Sequence, residues 1–160
     1  MILRSGLFAA FAALAQPSWA LSCMAPDIAR DYARAAQSDQ TYIVVRGELH
    51  FEESALPNRM DQRQSWMRDS VEIPAWLAGR SLTRDGFTKP FERDVILRVS
   101  CLGPWCGATT KGLHLTFLRK DGQVWVMEIG PCPGMTYSEP SDAQERQVMS
   151  CFRGETCVPE

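Results

Sequence analysis

A chain of 160 residues with 17 basic and 19 acidic side chains has no basic excess to offer a polyanion, which argues against nucleic acid as a partner. Two histidines are a thin supply for metal binding or acid–base chemistry, whereas six cysteines point to a disulfide framework.

Residues 1–20 have the form of a secretory leader rather than of fold. Arg4 supplies the positive start, Gly6–Ala15 is an apolar run too short to span a bilayer, and Ser18-Trp19-Ala20 is a small-x-small cleavage site. Cleavage after Ala20 leaves about 140 residues, enough for one domain over 21–160 with one core. Losing Arg4 takes the basic count from 17 to 16 against 19 acids, a net charge of about −3. A lipoprotein is the rival reading. An acylated cysteine normally follows a Leu-small-small triplet, however, and Ala20-Leu21-Ser22 precedes Cys23 in the wrong order. All six cysteines follow the cleavage site, and an exported protein, periplasmic or secreted, is exposed to oxidation.

Pro26–Gln37 reads as a short helix, with Pro26 in the first helical position and an apolar stripe of Ile28, Tyr32 and Ala35 or Ala36. Thr41–Phe51 is a long strand with Ile43, Val45, Leu49 and Phe51 on one face, and Gly47 within it suggests a bulge or bend. Glu52–Arg68 is polar and has no strand period. A loop this long is usually functional or disordered, and Arg63, Trp66 and Arg68 make it a candidate recognition loop. Ser70–Leu82 gives a strand broken at Pro74 and Gly79, with Trp76 and Leu77 as core. Arg84-Asp85-Gly86 is a turn, and Pro90 marks an edge or the start of the next strand.

Asp94–Cys132 is the stretch that organises the rest. Val95, Leu97 and Val99 alternate with polar residues, which gives one buried and one wetter face. In Leu113–Arg119 the pattern puts Leu113, Leu115 and Phe117 inward and His114 and Thr116 outward. Asp121-Gly122 is a tight hairpin signal, after which Val124–Ile129 returns with Trp125, Met127 and Ile129 on one face. Between the first two strands, Cys101 and Cys106 flank a Gly-Pro turn that a disulfide could close. Gly130-Pro131-Cys132-Pro133-Gly134 ends the sheet. Ser141-Asp142-Ala143-Gln144 has capping-box form and opens a helix that reaches Phe152 and stops at Gly154, with Cys151 and Cys157 near enough to close a terminal loop.

This order resembles the netrin-like (NTR) modules, whose best-known members are the tissue inhibitors of metalloproteinases. The residues that carry the resemblance are Ser22–Pro26, Tyr42–Gly47, Cys106-Gly107, Leu115–Phe117 through Asp121-Gly122, and Gly130-Pro131-Cys132. The resemblance implies a mainly β domain: a small five-stranded OB-type barrel with a short N-terminal and a C-terminal helix, stapled by disulfides. It also implies a Cys23–Cys132 bridge. Cys101–Cys106 and Cys151–Cys157 would complete an even count. The metalloproteinase inhibitors chelate zinc through an N-terminal cysteine; here Leu21 is expected at the terminus, so that activity is not implied.

The histidines His50 and His114 have no partner at a metal-ligand spacing, and no metal or cofactor is expected. Serine-nucleophile motifs, phosphate-cradling glycine loops and metalloprotease helices are absent, so no catalytic role is expected either. OB barrels can bind single-stranded nucleic acid, but the charge and export oppose it here. The leading expectation is a non-enzymatic, exported module that binds a protein or an envelope component through Arg63, Trp66, Arg68 and Trp105. The alternative is a periplasmic thiol–disulfide redox protein using Cys101 and Cys106. Their four-residue spacing departs from the two residues, at a helix N-terminus, that lower a thiol pKa.

Overall fold

The computed structural model describes residues 21–57 and 70–159. The leader expected over 1–20, and Arg63, Trp66 and Arg68 of the polar loop, lie outside the described residues. Helix α1 spans Ile28–Gln37. Asp27, not Pro26, sets its start, accepting the Arg30 backbone N–H at 2.8 Å. Seven strands follow among the described residues: β1 (Tyr42–Phe51), β2 (Ser70–Thr83), β3 (Gly86–Leu102), β4 (Trp105–Cys106), β5 (Gly112–Asp121), β6 (Val124–Ile129) and β7 (Thr136–Ser138). Helix α2 (Asp142–Arg153) begins with the Ser141–Gln144 capping box and ends at Gly154 with φ 77°.

Strand β1 lies between β2 and β5, antiparallel to both. β2 pairs with β3, β3 runs parallel to β6 over Ile96–Val99, and β6 returns to β5 through the two-residue turn Gly122-Gln123. The pairings therefore come back to the strand they start from. β7 adds to β5 at His114–Thr116, beyond the short stretch where β5 holds β6.

Alternation along the strands sorts their side chains into two cores. Val45, Leu49 and Phe51 from β1, Leu77 from β2, Val95, Leu97 and Val99 from β3, Leu118 from β5 and Met127 and Ile129 from β6 form one cluster. Val44, Leu115 and Phe117 point the other way, to Ile28 of α1, Val148 of α2 and Tyr137 of β7. At ~2 kcal/mol for each fully buried Leu or Val, these clusters outweigh the staples. All six cysteines are paired, as Cys23–Cys132, Cys101–Cys106 and Cys151–Cys157. On the chain-entropy model the long Cys23–Cys132 loop contributes about 5 kcal/mol and each short one about 2.

Four expectations are corrected. Pro74 and Gly79 do not break β2, which runs unbroken over its 14 residues. Pro74 lies just outside the span that pairs with β1, where β2 has only β3 as partner among the described residues. Trp76 is not core: it is 41% exposed, because its neighbour Leu77 takes the inward face and adjacent strand residues point oppositely. Gly47 is not a bulge. It pairs in register with Gly79, and a Cβ on Gly79 would lie 2.1 Å from the Arg46 carbonyl oxygen, so the two strands cross too closely for any side chain. The fourth concerns β5, both of whose faces are buried: His114 and Thr116 are 0% exposed. They share the face of Leu118, while Leu115 and Phe117 face the helices.

Among the described residues, the edge of β3 around Lys89-Pro90 has β2 as its sole strand partner, and Lys89, Glu92 and Arg93 are charged there. Charge and proline discourage another strand from adding at such an edge. Gly79→Ala should prevent folding or cost more than about 4 kcal/mol, read as loss of the cooperative urea transition. A near-native transition would disprove the close crossing.

Candidate functional site

Two features stand near the end of the sheet where β3 and β6 stop. The first is the β3–β4 hairpin. Cys101 pairs with Cys106 and Leu102 with Trp105 across a turn of Gly103-Pro104, with Gly103 at φ 58°. Directly opposed residues of an antiparallel pair project to one face. Leu102 and Trp105 therefore form one apolar plate, 57% and 37% exposed, with the Cys101–Cys106 disulfide at its base. The disulfide fixes the plate before any partner arrives. The hairpin is tied down by Gly107 N–H donating to the Ser100 carbonyl at 2.8 Å. Gly107 passes so near β6 that a Cβ there would lie 2.3 Å from the Ile129 carbonyl oxygen. Cys101 and Cys106 sit on this hairpin, not at a helix N-terminus, so the setting that lowers a thiol pKa is missing.

Beside it lies the segment 21–26, held by Cys23–Cys132. Met24, Arg30, Asp31, Ser100, Glu128 and Cys132 are among the residues lining a cleft of about 390 Å³ there. Met24 is exposed, and its sulfur accepts from the Arg30 guanidinium at 3.8 Å.

The second feature is a cleft of about 320 Å³ between the end of β6 and β7. Thr109, Thr136, Ser138, Glu128 and Gln144 are its polar lining. Behind them, His114 is held at both ring nitrogens. Nδ1 lies 2.9 Å from the Gly112 carbonyl oxygen, and Nε2 lies 2.9 Å from Ser138 Oγ and 3.1 Å from Thr109 Oγ1. Next to it, Thr116 and Thr136 hydroxyls meet at 2.9 Å. A buried imidazole and hydroxyls are tolerated because each has a partner.

Strand β7 is held from outside by Asp31 of α1, a carboxylate only 3% exposed. It accepts the Tyr137 hydroxyl at 2.6 Å and the Met135 N–H at 2.8 Å. Met135 (φ 60°) and Glu139 (φ 49°) flank β7 in the left-handed region, which costs of order 1–3 kcal/mol each. Burial, and then the Asp31 carboxylate beside it, pushes the Tyr137 phenol well above the usual range.

A charged patch covers the outer face of the sheet. Arg98 donates to Glu72 (2.7 Å) and Asp121 (3.1 Å), and Arg119 donates to Glu128 (2.9 Å). The hydrogen bond to Arg98, opposed in part by desolvation, lowers the Asp121 carboxyl. These groups neutralise one another and leave little unpaired charge to steer a ligand.

Of the sequence-predicted surface, Trp105 is on the exposed plate, and Arg63, Trp66 and Arg68 fall outside the described residues. His50 is exposed on β1 and is not near His114 in the pairing register. Sequence reasoning missed Asp31, Ser138 and the burial of His114. The signal for the last was present: Leu113, Leu115, Phe117 and Leu118 are apolar on both parities, which marks a strand buried on both faces. Among the described residues no cluster of three or more His, Cys, Asp or Glu is placed to hold a metal ion, and no helix is long and apolar enough to cross a membrane. No protein-family model matches the chain, and no curated protein or solved structure matches it.

Asp31→Ala would leave the Tyr137 hydroxyl and Met135 N–H buried without their acceptor, at a cost of about 3 kcal/mol, read from urea unfolding; a cost within error of zero would show that the clamp carries no weight. The raised Tyr137 pKa favours the folded state only while the phenol is neutral. Its contribution is full below the ordinary tyrosine value of 10.0 and declines as pH rises above it, once the unfolded chain can ionise. In an alkaline absorbance titration, Tyr137 should ionise together with unfolding rather than before it.

Proposed function

We propose that the chain is an exported, netrin-like module that binds a protein or envelope component through the Leu102–Trp105 plate. The observation that carries the reading is an exposed Leu and Trp displayed side by side on a disulfide-closed hairpin. Large apolar side chains in water are a cost unless something covers them, and Trp is over-represented among residues that dominate binding energy. A rigid display lowers the ordering penalty of association.

Three points support the module's class. The circuit of pairings β1-β2-β3-β6-β5-β1, with one parallel contact, fits a five-stranded OB-type barrel. The helices sit where the netrin-like arrangement would have them in sequence, one before the first strand and one after the last. Three disulfides suit an oxidising compartment, in keeping with the leader-like start, in the periplasm or outside the cell.

The test is site-specific photocrosslinking in native envelope extracts, with a benzophenone amino acid in place of Leu102 and, as control, of Val124, which is also exposed. A discrete adduct is expected from position 102 and not from 124. With that partner purified, Leu102→Ser with Trp105→Ser should weaken binding by about 100-fold while the thermal midpoint stays within a few degrees. Equal crosslinking from both positions, or unchanged affinity, would overturn the assignment.

A further inference from the structure

We propose that Ser138 and His114 form a nucleophile–base pair that hydrolyses small uncharged acyl esters in the cleft between β6 and β7. The inference is independent of the binding plate and departs from the sequence expectation that the chain has no catalytic group.

A carbonyl oxygen accepts only, so the Nδ1 of His114, 2.9 Å from the Gly112 oxygen, carries the ring proton. Nε2 then presents its lone pair, with Ser138 Oγ at 2.9 Å. Ser138 is exposed and lines the cleft, whereas the imidazole behind it is fully buried. An exposed hydroxyl, a base within hydrogen-bond reach and a third group that fixes the base are the parts of an activated serine. Their spacing is set by the ladder: His114 and Ser138 are opposed residues of β5 and β7. The backbone turns left-handed at Glu139, immediately after the serine, and strain of this kind gathers at functional sites.

The second hydroxyl has a role of its own. One lone pair on Nε2 accepts one proton, so when Ser138 donates, the Thr109 proton is free to turn to the cleft, which Thr109 also lines. There it can donate to the oxygen that gains charge as the carbonyl is attacked. Ser138 Oγ bonds to the acyl carbon while its proton passes to Nε2. The ester C–O bond then breaks, and the leaving alkoxide takes that proton. Water, deprotonated by the same Nε2, releases the acid and restores Ser138. The lining contains no Lys or Arg and has Glu128, which disfavours phosphate and carboxylate substrates. About 320 Å³ admits a small ligand.

The experiment exposes the disulfide-intact chain to a fluorophosphonate probe and maps adducts by mass spectrometry, alongside hydrolysis of p-nitrophenyl acetate and p-nitrophenyl phosphate. Expected are one dominant adduct on Ser138, formed at least about 100-fold faster than on the same serine in urea, and turnover of the acetate but not the phosphate. Ser138→Ala alters an exposed position and keeps the fold, so it should abolish both adduct and turnover. His114→Gln should slow labelling to the urea rate; if that variant unfolds, the comparison of folded with urea-unfolded wild type decides. Labelling of Ser138 no faster folded than unfolded, or acetate turnover unchanged in Ser138→Ala, overturns the proposal.

Discussion

The carboxylate of Asp31 is the contact on which the β7 end of the sheet depends. An acid taken almost wholly out of water is stable only if strong donors replace its hydration. Tyr137 and the Met135 amide supply them, and both belong to the segment that forms β7. That segment is also held by Tyr137 in the helix-side core and by the Thr136 and Ser138 hydroxyls, which meet Thr116 and His114. Its ladder to β5 is three residues long, and its neighbours Met135 and Glu139 are in a costly backbone region. The helix therefore does more than cover the sheet with Ile28: it fixes the strand that faces His114. Positioning of Ser138 thus passes from α1 through Tyr137, across 106 residues of sequence between Asp31 and Tyr137.

β5 is the element where the two cores meet. Its odd residues Leu115 and Phe117 feed the helix-side cluster, while Leu118 feeds the cluster enclosed by the sheet. On the latter face, toward the start of the strand, the aliphatic row gives way to Thr116 and His114. The change coincides with the point where β6 leaves β5 and β7 takes its place, so polar atoms appear where hydroxyl partners from β7 are available. Packing and chemistry are arranged by the same departure of one strand from its neighbour. The apolar plate at Leu102 and Trp105 is the complement: aliphatic and aromatic surface placed outward, on a hairpin too small to bury it.

What the sequence disclosed followed the reach of each signal. The alternation in Asp94–Ser100 and Val124–Ile129, the Asp-Gly turn and the Ser141–Gln144 box are local, and local geometry satisfied them. Trp76 and Leu77 are both apolar, and period decides which of two adjacent strand residues faces inward: Leu77 is buried and Trp76 is exposed. Pro74 suggested a break, yet β2 runs through it where β3 is its partner, while Pro90 suggested an edge or strand start and lies on the edge of β3. β7 was hidden because three residues carry no periodicity, and the Ser138–His114 and Asp31–Tyr137 contacts join positions that only the closed pairing brings together. Trp105 was legible for its turn and its cysteines alone.

The Cys23–Cys132 bridge gives the domain a mechanical character. It spans 109 residues and encloses α1 and every strand from β1 to β6. Tension arriving on the N-terminal side of Cys23 leaves at Cys132 through two sulfur atoms and never loads the ladders between them. Fully extended, the enclosed chain would reach roughly 350 Å, and all of that length is locked against pulling. Pulled between its two termini, the domain would then yield first in β7 and α2, outside the shackle, while the hairpin kept its shape under load.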